Sequence, residues 1–153
     1  GIELVEINSN DFGVTNGETY DSISMALPSK PEYVGVVRLT VSAIANRMGF
    51  NIEEIEDIKV AVAEACTNAI KHGLNQDFNV CFDIFEEKIT VSIKDNGKGY
   101  NTDALNEPDL EDPKEEGGLG IFIIKSLMDE VTLKSSVGQG TEIKMIKFLG
   151  DGN

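Results

Sequence analysis

Cysteine is scarce in this chain of 153 residues, which contains only Cys66 and Cys81. Both stand among apolar neighbours, one in a segment predicted to be a helix and the other in a predicted strand. Free cysteines in such surroundings behave as small core residues, so we expect both thiols to be reduced. A chain of this length buries about 70% of its unfolded surface when it folds. One hydrophobic core can therefore form without disulfide bonds.

Long apolar runs are also lacking. No stretch reaches the roughly 18 residues that a membrane-spanning helix requires. The first residues do not show the basic-then-apolar pattern of a secretory signal. The sequence therefore predicts a cytoplasmic protein.

Basic residues are few: 13 Lys and Arg stand against 27 Asp and Glu, which gives a net charge of -14. Such a charge repels nucleic acid and anionic lipid unless basic residues form a concentrated patch, and the sequence has none. Acidic residues crowd the segment 101–116, NTDALNEPDLEDPKEE, which has two prolines and no periodicity. An irregular segment of this length is typical of a lid or binding loop.

Two familiar nucleotide-binding motifs are missing. The chain has no G-x-x-x-x-G-K-[ST] sequence, and neither of its glycine clusters fits G-x-G-x-x-G between a strand and a helix. These absences exclude a P-loop protein and a dinucleotide-binding fold.

The periodicity of the remaining chain predicts an α+β domain over residues 20–153, preceded by an arm, 1–19, that is mobile or forms a peripheral strand. An alternating strand begins at Tyr20, and capping patterns at Ser29 and Asn51 open two amphipathic helices. The second helix is expected to end near His72, the only histidine, which we interpret as a helix-end residue.

Two predicted hairpins, NVCFDIF–ITVSIKD and VTLKSS–TEIKMIKF, flank a third, strongly apolar helix. Hairpin connections favour antiparallel pairing. The expected fold is therefore a two-layer α/β sandwich, with a largely antiparallel mixed sheet covered on one face by helices.

The second helix carries an unexpected polar pair, Glu64 and Asn68. Residues four apart project from one helix face, and Lys71 lies roughly in line with them. A solvated face would explain this spacing, but the flanking Val60, Ala61 and Ala63 favour a cleft. A carboxylate can take a proton from a hydroxyl, and a carboxamide oxygen suits Mg²⁺ that also binds phosphate oxygens. The pair therefore indicates nucleotide chemistry.

Two glycine clusters support this interpretation, although tight turns would explain either one alone. DNGKGY follows a predicted strand, and EGGLG precedes a helix, where free N–H groups can bind anions. The elements occur in the order E-x-x-x-N, D-x-G-x-G, loop, G-G-x-G and glycine-threonine. In this order the chain resembles the GHKL, or Bergerat-fold, ATPases. The chain also contains the stretches PEYVGVVRLTVSAIANRMG, EIEDIKVAVAEACTNAIKHG and EGGLGIFIIKSLMDEV. Through these stretches, from about Tyr20 to Phe148, it is similar to the anti-sigma factor serine kinases of the RsbW and SpoIIAB type.

The resemblance implies a role for each matching position. Glu64 would be the general base, Asn68 would complete the coordination of Mg²⁺ on ATP, and Asp95 would accept a hydrogen bond from adenine. The residues implied to bind ATP or its product ADP are Asn68, Lys71, Asp95, Gly97, Gly99, Gly117, Gly118, Leu119, Gly120 and Thr141, with 101–116 as the lid. For Lys71, a solvated side chain is an equally good interpretation.

The resemblance also implies partners. The substrate would be a STAS-type anti-anti-sigma factor phosphorylated on serine, and the second partner would be an alternative sigma factor held inactive. Arg38 would face a partner, or would be an ordinary exposed arginine. The family is dimeric, so a homodimer is expected. The first helix resembles the general-stress branch and DNGKG the sporulation branch, which leaves the cognate sigma factor open.

Two other functions fit parts of the pattern. One is a GHKL ATPase module of another signalling system, such as a sensor histidine kinase, gyrase or chaperone. The other is a nucleotide-gated module that sequesters a sigma factor without transferring phosphate. The glutamate at position 64 argues against the second, because a module that only changes shape with nucleotide needs no base.

Overall fold

The structure is a computed structural model that describes residues 2–3, 20–73, 76–97, 118–136, 138 and 140–150. The expected lid at 101–116 lies outside the described residues, as do Gly99, Gly117 and most of the amino-terminal arm. The boundary predicted at residue 19 is not tested by these ranges.

Six strands form one sheet in the order β1-β2-β3-β4-β6-β5, and every described pairing is antiparallel. The two predicted hairpins are β3–β4 and β5–β6, and they join through pairing of β4 with β6. The arm contributes β1, a two-residue edge strand paired with β2. The strands are β1 Ile2–Glu3, β2 Tyr20–Leu27, β3 Phe78–Phe85, β4 Lys88–Asp95, β5 Glu130–Ser136 and β6 Gly140–Phe148.

Three α-helices pack in a layer on one face of this sheet: α1 Val34–Met48, α2 Ile52–His72 and α3 Gly118–Leu127. A short 3₁₀ turn, Pro31–Tyr33, leads into α1. The central helix is α2, which packs against both α1 and α3. Gly49 ends α1 in the left-handed conformation with φ 99°, where a side chain is disfavoured. The expected α+β two-layer sandwich is confirmed, but the described strands pair only antiparallel and show no parallel pair of a mixed sheet.

The two predicted capping boxes have different outcomes. At the start of α2, Asn51 Oδ1 accepts a hydrogen bond from the Glu54 N–H at 2.7 Å, and Glu54 Oε1 accepts one from the Asn51 N–H at 2.9 Å. The box predicted at Ser29 is wrong, because the Ser29 hydroxyl donates to the carbonyl of Gln76 instead. The segment then enters α1 through the 3₁₀ turn, without a side-chain cap.

The core lies between the helices and the inward face of the sheet. Alternate residues of β3 and β4 are fully buried there, as the two-residue period predicts. They are Phe78, Val80 and Phe82 on β3 and Ile89, Val91 and Ile93 on β4. This shared core fixes the position of α2 relative to the ends of β4 and β6. That position brings the polar residues of α2 close to the end of β4.

Both cysteines are free, as expected. Cys66 is buried in α2, and burial raises the pKa of its thiol to about 12, so the thiol remains protonated at neutral pH. Cys81 is half-buried on β3, within 3.5 Å of the Ser22 hydroxyl. Within the described ranges, no helix is both long enough and apolar enough to cross a membrane.

Candidate nucleotide site

The polar pair of α2 faces the first turn of α3. Glu64 and Asn68 are both half-buried, and a Cβ placed on Gly120 would lie 3.2 Å from Glu64 Oε2 and 3.2 Å from Asn68 Nδ2. Such a distance is tighter than an ordinary van der Waals contact. The absence of a side chain at Gly120 therefore lets both polar groups reach the start of α3.

Asn68 has unused hydrogen-bonding capacity. Its Nδ2 is buried and has no hydrogen-bond partner among the described residues. A buried donor without a partner costs about 1–3 kcal/mol, so native structures rarely keep one without a reason. A bound polar group at this position would remove that cost.

Asp95 ends β4 and is 4% exposed. Its Oδ1 accepts a hydrogen bond from the Gly97 N–H at 2.9 Å. Burial raises the pKa of this carboxyl, and hydrogen bonds from the backbone of Gly97 and Thr141, together with the charge of His72, partly oppose the shift. The carboxylate is thus held by backbone donors in a largely apolar setting.

Two glycines allow the backbone to pack closely around Asp95. A Cβ on Gly97 would lie 1.6 Å from the carbonyl oxygen of His72, at the end of α2. A Cβ on Gly140 would lie 2.2 Å from the carbonyl oxygen of Asp95, and Gly140 also has φ 81°. Neither position accepts a side chain without movement of the backbone. These glycines bring the ends of α2, β4 and β6 together.

Thr141 lies beside Asp95 on the neighbouring strand, in direct register with it. It is 7% exposed, and its hydroxyl lies 2.8 Å from that of Ser135 on β5. The Ser135 hydroxyl also lies 3.2 Å from the carbonyl oxygen of Gly140. Sequence analysis did not single out Ser135, because only the β5–β6 register places it beside Thr141.

One pocket brings together residues from α2, α3 and the sheet. Its polar lining is Asn68, Asp95 and Thr141. Its apolar walls were not predicted as site residues and come from the buried alternation of the strands and helices: Ala65, Ala69, Ile93, Ile121, Leu133 and Ile143. Three residues that the sequence places far apart therefore share one cavity, and Glu64 lies next to Asn68 against Gly120.

The other described residues that the sequence predicts for the site do not line this pocket. Gly118 begins α3, and the Leu119 side chain is 60% exposed. Lys71 is exposed on the last turn of α2, and Arg38 is exposed on α1. Gly99 and Gly117 fall outside the described residues.

The described part of the chain holds no group of three or more His, Cys, Asp or Glu side chains that could bind a metal ion. A divalent cation near Asn68 would therefore need most of its oxygen ligands from a bound nucleotide and from water. Magnesium bound to nucleotides commonly has this arrangement, with one or two protein ligands plus phosphates. The single carboxamide at position 68 fits that pattern.

Comparison with known proteins identifies the family. The sequence profile described as histidine kinase-like ATPase domain matches residues 27–147. The serine-protein kinase RsbW of Oceanobacillus iheyensis is 43% identical over 143 residues, which cover 86% of this chain and 89% of the relative. The serine-protein kinase RsbW of Bacillus subtilis is 40% identical over 141 residues, which cover 84% of this chain and 86% of the relative.

Among solved structures, the histidine kinase domain of the blue-light activated histidine kinase from Erythrobacter litoralis EL346 matches with a TM-score of 0.48 and 22% identity. The match covers 82% of this chain and 63% of that chain. The family profile spans most of the chain, and the relatives align over nearly their whole length. The chain therefore belongs to the histidine kinase-like ATPase family, in the group of the serine-protein kinases RsbW.

Proposed function

We propose that this protein is an anti-sigma factor and serine kinase, which uses Mg-ATP to phosphorylate a serine of a STAS-type anti-anti-sigma factor. The observation that carries the proposal is the meeting of Glu64 and Asn68 at Gly120, next to the pocket that Asn68 shares with Asp95. The names of the relatives, serine-protein kinases, support the same chemistry.

The adenine end of ATP would lie at the pocket between β4, β6 and α2, whose volume of about 10 Å³ is that of one water molecule, so its walls would have to move apart to admit the ring. There Asp95 would accept a hydrogen bond from the adenine amino group, and Thr141 would hold the same end of the nucleotide. Apolar walls such as Ile93 and Leu133 suit a flat ring. Backbone N–H groups fix the orientation of the Asp95 carboxylate, and this favours a hydrogen bond from the adenine amino group over one from water. Gly99 would leave room for the ring, as the family resemblance implies, whereas the missing side chain of Gly97 makes room for the carbonyl of His72.

The phosphates would lie toward the start of α3. Helix N-termini attract anions because their first N–H groups lack intrahelical partners. Gly117, Gly118, Leu119 and Gly120 would supply these donors, with 101–116 as the lid and Lys71 as a further cation. The unpartnered Nδ2 of Asn68 would then find a phosphate oxygen or water, while its Oδ1 would bind Mg²⁺. When bound, Mg²⁺ would neutralise charge on the phosphates.

Glu64 would act as the general base. The serine oxygen of the substrate attacks the γ-phosphorus, the bond from that phosphorus to the β,γ-bridging oxygen breaks, and ADP leaves. Glu64 accepts the hydroxyl proton as the new P–O bond forms. Phosphoryl transfer depends mainly on positioning and charge neutralisation, so one base, one cation and a backbone cradle are sufficient.

The remaining assignments concern partners and location. The protein would hold an alternative sigma factor inactive, with Arg38 facing a partner from the exposed side of α1. It would act as a cytoplasmic homodimer, as the family resemblance implies. The net charge of -14 disfavours direct contact with nucleic acid. Its influence on transcription would therefore pass through protein partners.

The test is phosphate transfer from labelled ATP with Mg²⁺ to the STAS proteins of the host. The wild-type protein is expected to label one of them on serine. Glu64→Gln is expected to lose transfer while its affinity for ADP stays within about twofold. The matched control is Glu56→Gln, an exposed glutamate on the same helix, which should transfer at the wild-type rate. Binding of nucleotide without transfer to any STAS protein would instead support a nucleotide-gated module.

A further inference from the structure

We propose that Ser135 is a positioning residue of the nucleotide site, which accepts a hydrogen bond from the Thr141 hydroxyl and so leaves only the acceptor lone pairs of that hydroxyl for the nucleotide. The arrangement selects a purine that has an amino group at C6, as adenine has, over a purine with a carbonyl oxygen there. This inference rests on the proposed function, in which Asp95 and Thr141 hold the adenine end of the nucleotide.

Three polar side chains form a row across one end of the sheet. Asp95 on β4 is in register with Thr141 on β6, and Thr141 is in register with Ser135 on β5. Residues in register on neighbouring strands point to the same face of the sheet. Asp95 and Thr141 line the pocket on the helix-covered face, so Ser135 lies on that face as well. The Thr141 side chain is therefore placed between a carboxylate and a second hydroxyl.

The direction of the hydrogen bonds at Ser135 follows from counting protons. A serine hydroxyl has one proton to donate and two lone pairs that accept. The Ser135 hydroxyl lies 3.2 Å from the carbonyl oxygen of Gly140, and a carbonyl oxygen only accepts, so Ser135 is the donor in this bond. Its one proton is then used. In the shorter contact of 2.8 Å between the two hydroxyls, Thr141 is therefore the donor.

The proton of the Thr141 hydroxyl consequently points toward Ser135 and away from Asp95. Thr141 lines the pocket next to Asp95, and its hydroxyl has only lone pairs left for a ligand there. The Asp95 carboxylate, which the backbone N–H groups of Gly97 and Thr141 hold in place, is an acceptor too. Two neighbouring acceptors in a buried site need a ligand that donates to both, because an acceptor without a donor loses its hydrogen bond.

The exocyclic amino group of adenine is such a ligand group. It has two N–H donors, one for the Asp95 carboxylate and one for the Thr141 hydroxyl, directly or through a water molecule. Hypoxanthine and guanine have a carbonyl oxygen at the same position, which would face two acceptors. A site that hydrogen-bonds to an N–H group of its ligand strongly rejects an analogue without that group. Without Ser135, Thr141 would be free to turn its proton toward the carbonyl oxygen, and the rejection would weaken.

The test is the ratio of two affinities measured by calorimetry, one for ADP and one for inosine diphosphate, in which a carbonyl oxygen replaces the amino group. The wild-type protein is expected to bind ADP more tightly. Ser135→Ala is expected to lower this preference by about tenfold, which corresponds to about 1.4 kcal/mol, because the released proton of Thr141 can bond to the carbonyl oxygen. A loss of packing alone would weaken the binding of both nucleotides alike and leave the ratio unchanged.

A double-mutant cycle tests whether Ser135 acts through Thr141. Thr141→Val keeps the branched shape of the side chain and removes its hydroxyl. In the Thr141→Val background, Ser135→Ala should leave the ratio unchanged.

The matched control in the wild-type background is Ser92→Ala. Ser92 is half-buried, as Ser135 is, but it lies on β4 between the fully inward Val91 and Ile93. Successive residues of a strand point to opposite faces, so the Ser92 side chain lies on the face of the sheet that is away from the pocket. This variant should keep the wild-type ratio.

Several results would overturn the role of Ser135. If the wild-type protein prefers ADP and Ser135→Ala keeps the full preference, Ser135 does not position Thr141, and the proposed function stands. Equal wild-type affinity for the two nucleotides would contradict selection of the amino group. The same loss of preference in the Thr141→Val background, or in Ser92→Ala, would show that the effect does not pass through the Thr141 hydroxyl. A wild-type protein that binds neither nucleotide would overturn the proposed function as well.

Discussion

Single glycines determine how closely the backbone approaches at the candidate site. Gly97 lies against the last carbonyl of α2, and Gly120 lies against the polar heads of Glu64 and Asn68. In the first case the opposing atom is backbone, which cannot rotate away. In the second the opposing atoms are the ends of side chains, which can move, at the cost of displacing the groups proposed for catalysis.

We predict that Gly97→Ala lowers the free energy of unfolding by about 1–3 kcal/mol or more, because overpacking a close contact has a cost of this size. The added methyl would meet the carbonyl oxygen of His72 at 1.6 Å. The free energy of unfolding in urea measures the effect. Gly35→Ala is the matched control, because nothing lies within 4 Å of its Cβ position in α1. There the loss of backbone freedom in the unfolded chain should raise stability by about 0.5 kcal/mol. Equal effects of the two substitutions would contradict the close approach.

Asp95 gives a prediction about pH. Burial raises the pKa of this carboxyl above its usual range, so in the window between the unfolded and folded pKa values the folded protein holds a proton that the unfolded chain has released. The stability contributed by Asp95 therefore falls as pH rises through that window and stays lower above it.

We expect Asp95→Asn, which keeps the acceptor for the Gly97 N–H but carries no charge, to gain stability relative to wild type as the pH rises. Urea unfolding without nucleotide, repeated from below pH 3.8, the pKa of an unperturbed aspartate, up to neutral pH, measures the difference. A difference that stays constant or shrinks with rising pH would show that the buried carboxylate is not destabilised.

For single residues, the sequence predicts which side chains carry the chemistry better than it predicts which residues are in contact. The four-residue spacing of Glu64 and Asn68 predicts that they share a face, and the structure brings both to Gly120. The close approach of Gly97 to His72 has no local signal, because it joins segments 25 residues apart. The same holds for Ser135, whose place beside Thr141 depends on strand register.

The helices show how tertiary contacts override a local pattern. The patterns beginning at Ser29 and at Asn51 are both compatible with a capping box, yet only Asn51 forms one. Ser29 uses its hydroxyl for the Gln76 carbonyl, a contact between distant segments that a local pattern does not reveal.

We predict that Asn51→Ala costs about 1 kcal/mol of stability, the usual effect of removing a side-chain cap. Glu32→Ala removes the glutamate of the pattern that begins at Ser29 and does not form a box, so it should change stability by less than about 0.5 kcal/mol. Thermal unfolding of the two variants at one pH gives the comparison. A loss of similar size in both would indicate that the second box exists in solution.

The strands were predicted as two hairpins, and both are present. The pairing of the two hairpins through β4 and β6 was not predicted, because no local sequence pattern indicates which distant strands pair. This pairing matters most for the site, because it places Asp95 opposite Thr141.

At the scale of the whole molecule, the sheet and the helix layer together position the polar residues of the candidate site. Asp95 and Thr141 belong to the sheet, Asn68 and Glu64 belong to the central helix, and the shared core holds these parts in place. On this account a single nucleotide contacts the two parts at once, with its base at Asp95 and its phosphates and Mg²⁺ at Asn68.

The most direct test of this claim is the affinity for ADP, measured by calorimetry with and without Mg²⁺ for wild type, Asp95→Asn and Asn68→Leu. We expect Mg²⁺ to tighten binding to wild type. Asp95→Asn should weaken binding by about tenfold or more under both conditions, because a charge-assisted hydrogen bond contributes about 1.5–3 kcal/mol. Asn68→Leu should bind ADP with little response to Mg²⁺. Full Mg²⁺ dependence in Asn68→Leu, or wild-type affinity in Asp95→Asn, would contradict the account.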